Sequence, residues 1–161
     1  MEVEMKVKSL MMDPVTQMPI VVLRDPSGDS LLPIWVGLFE ANAIALQLEN
    51  IATPRPMTHD LLRSVLSSME AEVERIVITD LKENTFYASV QLRYNGRELI
   101  IDSRPSDAIA LALRTESPIF VNKGVIDKAT SGDSSKDAAE SDRLRKWLEG
   151  LDPGDLGKYE N

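Results

Sequence analysis

The feature that most constrains the fold is a short segment that occurs twice. Residues 43–48 read AIALQL, and residues 108–113 read AIALAL. Each copy follows three runs of strand-like alternation, one set starting near Val3 and the other near Val73. Within each copy, apolar residues recur at steps of three and four, which predicts a helix with one apolar face. The pattern therefore predicts an internal duplication, in which each half has three antiparallel strands followed by a core helix.

Turn residues separate the predicted strands at matching places in the two halves. Asp25–Asp29 contains proline and glycine, and Asn95 and Gly96 form the dipeptide most typical of a tight hairpin. A further helix is predicted to follow the prolines at 54 and 56, with Thr58 as its N-cap. In the second half, residues 117–129 predict a short strand or turn and then a short helix.

These patterns predict an α+β domain over residues 1–129, built from repeats of about 3–70 and 71–129. From residue 130 the composition changes to serine, glycine and acidic residues without large apolar side chains, which is typical of a linker. The segment SDRLRKWLEGL then predicts a short amphipathic helix with Trp147 on its apolar side. Residues 130–161 are thus expected to be a linker and a short C-terminal helix.

Composition excludes several kinds of site. The chain has no cysteine and one histidine, so one chain cannot form a zinc site with histidine and cysteine ligands. It has no glycine-rich phosphate loop, and no organic cofactor is expected. The net charge of −8 argues against constitutive, tight binding of nucleic acid, but less against brief contact with it. Without a signal-like start or a long apolar run, the chain is expected to be cytoplasmic and to have no membrane partner.

Polar residues beside the two repeated helices allow more than one interpretation. Ser103, Ser106 and Asp107 suit helix capping, which is the structural alternative. Arg104 opposes the helix dipole, so we expect it either to pair with a carboxylate, Asp102 or Glu40, or to bind a phosphate. His59 is interpreted either as a surface residue or as a general base.

Three segments together resemble one known family. The chain reads PIWVGLFEANAIALQLENIATPRPMTHDLL and later DSRPSDAIALALRTESPIFV, and both segments resemble the bifunctional nuclease family. The similarity covers roughly residues 3–127, and the closing WLEGLDPGDLGKY resembles the tail of bacterial members. The resemblance implies two β3-α2 repeats that share one barrel-like antiparallel or mixed sheet, with the helices packed outside. It also implies nuclease activity on DNA and RNA.

As an enzyme, the chain would be a phosphodiesterase assisted by Mg²⁺ or Mn²⁺. Candidate metal ligands are the oxygen donors Glu40, Asp102 and Asp107, and His59 would move a proton as a fourth candidate catalytic residue. The candidate substrate-binding residues are Arg104, Arg55, Ser106 and Asn42. Single-stranded or duplex nucleic acid would then be a transient partner.

The alternative function is a non-catalytic module that binds a small ligand or a protein and acts in regulation. In that case the acidic residues would be caps and surface groups, and exposed Trp35, Phe39 and Phe120 would form a homodimer interface. A homo-oligomer, with a dimer as the first expectation, fits either function. Clustering of Glu40, Asp102 and Asp107 within reach of one metal ion would favour the enzyme. Wide separation of these carboxylates, or pairing of each with an arginine or a backbone N–H, would favour the module.

Overall fold

Residues 1–131 are described by the computed structural model, and they form one mixed sheet of seven strands with four helices. The strands are β1 (Glu2–Met12), β2 (Pro19–Arg24), β3 (Leu31–Trp35), β4 (Glu72–Lys82), β5 (Thr85–Tyr94), β6 (Arg97–Ser103) and β7 (Ile119–Asn122). The helices are α1 (Leu38–Leu48), α2 (Thr58–Ser68), α3 (Pro105–Thr115) and α4 (Lys123–Ser131). The α+β class is confirmed, and so is the order of three strands and a helix in each half.

The strands lie in the order β3-β2-β1-β7-β4-β5-β6. The three strands of each half are antiparallel neighbours, and β7 joins the halves by pairing antiparallel with β1 and parallel with β4. The sheet is not closed, because β3 and β6 form its edges. Barrel-like closure and an internal duplication therefore remain predictions.

The predicted turns are where the sequence places them. Asn95 and Gly96 both have positive φ, at 50° and 72°, as do Glu83 and Asn84 between β4 and β5. Two central residues with positive φ give a hairpin turn whose twist matches that of its strands. Both hairpin loops in the first half are longer than their counterparts in the second half.

The core lies between the sheet and the repeated helices. Ala43, Ile44 and Ala45 are buried in α1, and all residues from Ala108 to Ala112 are buried in α3. Helix α3 contacts α1, α2, β4 and β5, so it is the central helix of the fold. Its short alanine side chains allow this close approach to several elements at once. The predicted core role of the repeated segment is thus confirmed.

Two expectations about individual residues are wrong. The N-cap of α2 is Met57, and Thr58 is the first helical residue. Phe120 is only partly exposed, because Arg75 lies over its ring at 5.0 Å from the ring centroid. Leu61 and Val65, on the apolar side of α2, are exposed to solvent.

The predicted C-terminal linker and amphipathic helix lie almost wholly outside the described residues. Helix α4 continues to Ser131, slightly beyond the predicted domain end at residue 129. None of the helices within residues 1–131 is both long enough and apolar enough to cross a membrane.

Candidate active site

The candidate site is built around the start of α3. Pro105 is the first helical residue, where its missing N–H costs nothing and its fixed φ suits a helix. No side chain caps this end of α3. The Ser103 hydroxyl donates to the carbonyl of Arg104, and the Asp107 carboxylate bonds to the side chains of Arg104, the N-cap residue, and of His59 in α2. Neither Ser103 nor Asp107 therefore caps α3 through a side-chain hydrogen bond, although Asp107 lies in the first turn, where its charge suits the helix dipole.

Four side chains are joined into one cluster, which we call the four-residue cluster: Glu40 of α1, His59 of α2, Asp107 of α3, and Arg104, which precedes α3. Arg104 Nη2 donates to Glu40 Oε1 at 2.8 Å, and Arg104 Nε donates to Asp107 Oδ2 at 2.9 Å. His59 Nε2 lies 2.9 Å from Asp107 Oδ1. The predicted ion pair between Arg104 and Glu40 is confirmed, and the cluster joins residues from both halves of the chain.

The protonation pattern of the cluster follows from its hydrogen bonds. Asp107 accepts from Arg104, and this hydrogen bond, followed by the bond to Glu40, raises the pKa of the Arg104 guanidinium. An ionised carboxylate can only accept, so the bond to Asp107 places a proton on His59 Nε2. Neutral His59 therefore has its basic nitrogen at Nδ1. Because the His59 side chain is only 10% exposed, its interpretation as a surface residue is wrong.

A surface pocket of about 400 Å³ adjoins one side of the cluster. Its lining includes Asp102, Arg104 and Asp107 together with the aromatic residues Phe86 and Tyr87 from β5. The Arg104 side chain is 67% exposed, and Tyr87 is exposed as well. A cation, two carboxylates and aromatic rings therefore meet at one solvent-accessible place.

The residues as arranged do not fit a divalent metal. The Arg104 guanidinium binds both Glu40 and Asp107, so a positive charge already bridges two of the three predicted ligands. Within residues 1–131 no group of three or more histidine, aspartate or glutamate side chains is placed to hold a metal ion. Dependence on Mg²⁺ or Mn²⁺ stays a prediction.

The other predicted site residues are dispersed. Asp102 is exposed on β6, where it pairs with Ser89 of β5, and Ser106 is buried in the first turn of α3. Asn42 is exposed on α1. Arg55 lines a different pocket, beside α2. The structure therefore joins Glu40, His59, Arg104 and Asp107 directly, places Asp102 in the same pocket as two of them, and leaves Asn42 and Arg55 apart.

Arg114 was not among the residues predicted from the sequence, and it stabilises the part of α2 that carries His59. Arg114 is buried in the last turn of α3, and its Nε donates to Asp60 Oδ1 at 2.7 Å. The backbone N–H of Met57, and then Arg114, lower the pKa of Asp60. Asp60 follows His59 in α2, so this pair helps to fix the helix turn that carries His59. An arginine inside an otherwise apolar helix was the signal, because a buried arginine needs a partner.

Comparison with known proteins relates the sequence of this chain to one family. Residues 21–133 match the family model of the bifunctional nuclease domain. An uncharacterized protein of Mycobacterium tuberculosis is 36% identical over 155 residues, which span 92% of this chain and 93% of that protein. Bifunctional nuclease 1 of Oryza sativa subsp. japonica is 31% identical over 66% of this chain but only 33% of its own length. Bifunctional nuclease 2 of Arabidopsis thaliana is 31% identical over 77% of this chain and 40% of its own length. By its sequence, this chain belongs to the bifunctional nuclease domain family.

Proposed function

We propose that this protein is a nuclease that hydrolyses phosphodiester bonds in DNA and RNA at the pocket beside the four-residue cluster. The main support for the proposal is the chain of hydrogen bonds that joins His59 to Asp107 and Asp107 to Arg104. It combines a group that can move a proton, a carboxylate that orients it, and a cation that can bind phosphate. The names of the plant relatives agree with this activity.

In the proposed mechanism, His59 moves the proton. Its bond to Asp107 keeps Nε2 protonated, so Nδ1 takes the proton of the water that attacks phosphorus, and Asp107 stabilises the resulting imidazolium. The imidazolium then gives a proton to the leaving oxygen as the phosphorus–oxygen bond breaks, which restores neutral His59. An adjacent carboxylate performs the same task for catalytic histidines on unrelated folds. The burial of His59 keeps solvent from competing for these bonds.

Arg104 is the proposed phosphate ligand. Its Nε and Nη2 bind Asp107 and Glu40, while its Nη1 makes no hydrogen bond within the described part of the chain. A guanidinium has five N–H donors in a fixed plane, so the two carboxylates orient it and Nη1 remains available to a phosphate oxygen. Positive charge placed where negative charge develops is the main electrostatic contribution to phosphoryl transfer.

Aromatic residues of the same pocket would hold the bases. Tyr87 lines the pocket and is exposed, and bases of any sequence stack on aromatic rings. This contact is independent of base identity and suits an enzyme that acts on both DNA and RNA. No step of the mechanism is assigned to a metal, because the carboxylates as arranged do not fit one.

The test is cleavage of fluorescent single-stranded DNA and RNA by highly purified protein, with Mg²⁺, with Mn²⁺ and with EDTA. Asp107→Asn keeps the shape of the side chain but removes its charge, so we expect cleavage to fall about 10²- to 10⁴-fold. Arg104→Ala removes the phosphate ligand, and we expect a loss of about 10²- to 10³-fold. Asp127→Asn, an exposed change in α4, is the matched control.

Each variant is checked for folding by its melting temperature before its activity is compared. Cleavage lost in folded Asp107→Asn and Arg104→Ala, but kept in Asp127→Asn, would support the proposed site. Equal cleavage by wild type and all three variants would mean that a contaminant cleaves the strand or that the active site lies elsewhere in the protein. The EDTA arm tests the predicted metal dependence separately from the residues.

A binding module without catalysis is the second candidate function, and one observation favours it. Glu40 and Asp107 each pair with an arginine, which is the arrangement expected of such a module. In that case the pocket would hold a phosphate-bearing ligand at Arg104 without cleaving it. Absence of cleavage in every arm, with retained binding of a labelled strand, would select this function.

We also keep three wider expectations as proposals. The two halves are proposed to be copies of one ancestral β3-α2 unit, because both show three antiparallel strands and then a buried alanine-rich helix. The protein is proposed to form a homodimer. Its expected compartment is the cytoplasm, since the chain has no cysteine.

A further inference from the structure

A second and larger pocket lies beside α2, and it shares no lining residue with the pocket at the candidate active site. Its volume is about 620 Å³, which is in the range of sites for small ligands. It lies between the end of α1, the connection from Ile51 to Pro56, one face of α2 and the end of α3. We call it the arginine pocket, after its lining residues Arg55, Arg63 and Arg114.

The charge of the arginine pocket is opposite to that of the whole protein. Its charged residues are three arginines and Asp60, and Asp60 is already paired with Arg114. The pocket is therefore net positive on a chain with a net charge of −8. A positive concavity on an acidic surface concentrates anions locally, and an acidic partner would be repelled elsewhere on the protein.

Two of these arginines have no partner in the part of the chain that the structure describes. Neither Arg55 nor Arg63 forms an ion pair or a side-chain hydrogen bond there, and both are exposed. Serine hydroxyls at Ser64 and Ser67 line the same space on the next turns of α2. Guanidinium groups with neighbouring hydroxyls are the donors that bind phosphate oxygens.

The loop that carries Arg55 is restrained before any ligand binds. Arg55 lies between Pro54 and Pro56, which fix their own φ and favour an extended Arg55. The Thr53 hydroxyl also donates to the carbonyl of Arg55 at 2.8 Å. A restrained backbone lowers the entropy lost when the side chain binds a ligand.

We propose that the arginine pocket is a phosphate-binding site, and that the phosphates are those of a nucleic-acid strand held outside the candidate active site. The inference deepens the proposed function and rests on it only in taking nucleic acid as the source of phosphate. A mononucleotide presents the same chemistry and is the other source that the experiment separates. Arg55, predicted from the sequence as a substrate-binding residue, then acts together with Arg63 at this second place.

The experiment measures fluorescence anisotropy of a labelled single-stranded oligonucleotide and, separately, of a labelled mononucleotide, both in EDTA. The variant Arg55→Ala/Arg63→Ala is compared with Arg24→Ala/Arg97→Ala, which removes the same charge from two exposed residues outside the pocket. A denaturing gel verifies that the strand is intact after each titration. Unlabelled inorganic phosphate is added as a competitor.

We expect Arg55→Ala/Arg63→Ala, the pocket variant, to bind the strand about 10- to 100-fold more weakly than wild type. The affinity of Arg24→Ala/Arg97→Ala, the control variant, should stay within about threefold of wild type. The slope of log affinity against log salt should fall by about 1.4, since each phosphate contact on a single strand contributes about 0.7. If strand binding is unchanged but mononucleotide binding is lost, the phosphate site stands and a free nucleotide is its source.

The proposal is overturned if the pocket variant binds both probes as wild type does, or if the control variant loses as much affinity. It is also overturned if wild type binds neither probe. If the proposed nuclease activity is wrong but the pocket proposal is right, cleavage will be absent and the pocket variant will still bind the strand more weakly than wild type. Cleavage with no effect of the pocket variant on binding would reject the arginine pocket alone.

Discussion

Arg114 shows how a single buried charge can join three helices. Its Nε donates to Asp60 in α2, its Nη2 to the carbonyl of Ala43 in α1, and its Nη1 to the carbonyl of Ala110 in α3. The side chain is only 3% exposed, so each of these bonds replaces one that water would otherwise supply. A buried arginine left without its carboxylate would carry an uncompensated charge.

We therefore expect Asp60→Asn to lower the free energy of unfolding by about 1–2 kcal/mol. The cost of breaking a fully buried pair is larger, and the estimate is reduced because the Asp60 side chain is 35% exposed. Asparagine keeps one oxygen that can accept from the Met57 N–H, but its amide nitrogen cannot accept from Arg114, so the change removes both the charge and the hydrogen bond of the pair. Urea unfolding gives the measurement, with Asp127→Asn within about 0.5 kcal/mol of wild type as the control. Equal stability of Asp60→Asn and wild type would contradict a structural role for the pair.

The same pair predicts a pH dependence. The N–H of Met57 and the Arg114 guanidinium hold the pKa of Asp60 below its ordinary value of 3.8. A depressed carboxyl pKa adds stability above the unfolded-state pKa, and this contribution disappears as the pH falls through the folded-state pKa. The difference in unfolding free energy between wild type and Asp60→Asn should therefore shrink as the pH is lowered below about 4. A difference that stays constant down to pH 2 would contradict this linkage.

At the scale of elements, local sequence accounts for the hairpins of the second half. Gly96 has φ of +72°, and among residues 1–131 no atom beyond its two chain neighbours lies within 4 Å of the place where a Cβ would stand. The space is open, so only the backbone conformation restricts this position. The turn was predictable because the Asn-Gly dipeptide favours these angles regardless of the remaining structure.

Gly96→Ala should accordingly destabilise the protein by about 1–2 kcal/mol through the left-handed backbone alone. Thermal or urea unfolding would measure the change, and Arg97→Ala, an exposed neighbour, would serve as the control. Unchanged stability of Gly96→Ala would show that the turn rearranges without cost.

For helix α2, local sequence does not predict what the apolar face contacts. Its apolar residues recur at helical spacing, and periodicity alone indicates a buried face. In the structure α2 packs on α3, His59 bonds to Asp107 of that helix, and the half-buried Leu66 packs on the core. Leu61, Leu62, Val65 and Met69 remain exposed. Periodicity identifies the apolar face of a helix, but it does not say whether that face meets its own domain or another chain.

At the scale of the whole molecule, the exposed stripe of α2 supports the proposed homodimer. The stripe consists of Leu61, Leu62, Val65 and Met69, and side chains of this size rarely lie together on a monomer surface without a partner. A second copy would bury the same stripe symmetrically, as is usual for homodimers. The dimer is therefore proposed to form through α2 and not through the surface of Trp35, Phe39 and Phe120 that the sequence predicted. Trp35 and Phe39 are exposed, but Phe120 is partly buried.

Size-exclusion chromatography with light scattering tests this expectation at micromolar concentrations. Wild type should have the mass of a dimer, and Val65→Glu, which places a charge in the stripe, should shift it to the monomer. Ser68→Glu adds the same charge on the polar face of α2 and should leave the dimer intact. A monomeric wild type, or a dimer that survives Val65→Glu, would contradict the assignment of this surface.

Sequence by itself determined the α+β class, the three antiparallel strands and helix of each half, the tight turns and the family. These features depend on residues close together in the chain, where periodicity, glycine conformation and proline geometry act directly. Sequence also identified Glu40, His59, Arg104 and Asp107 as candidates without establishing how they pair. Only the tertiary structure decided that Arg104 binds Glu40 and Asp107, that His59 is buried against Asp107, and that Arg114 needs Asp60. Those contacts join residues far apart in the chain, and their strength depends on burial and orientation, which exist only once β7 and α3 have brought the two halves together.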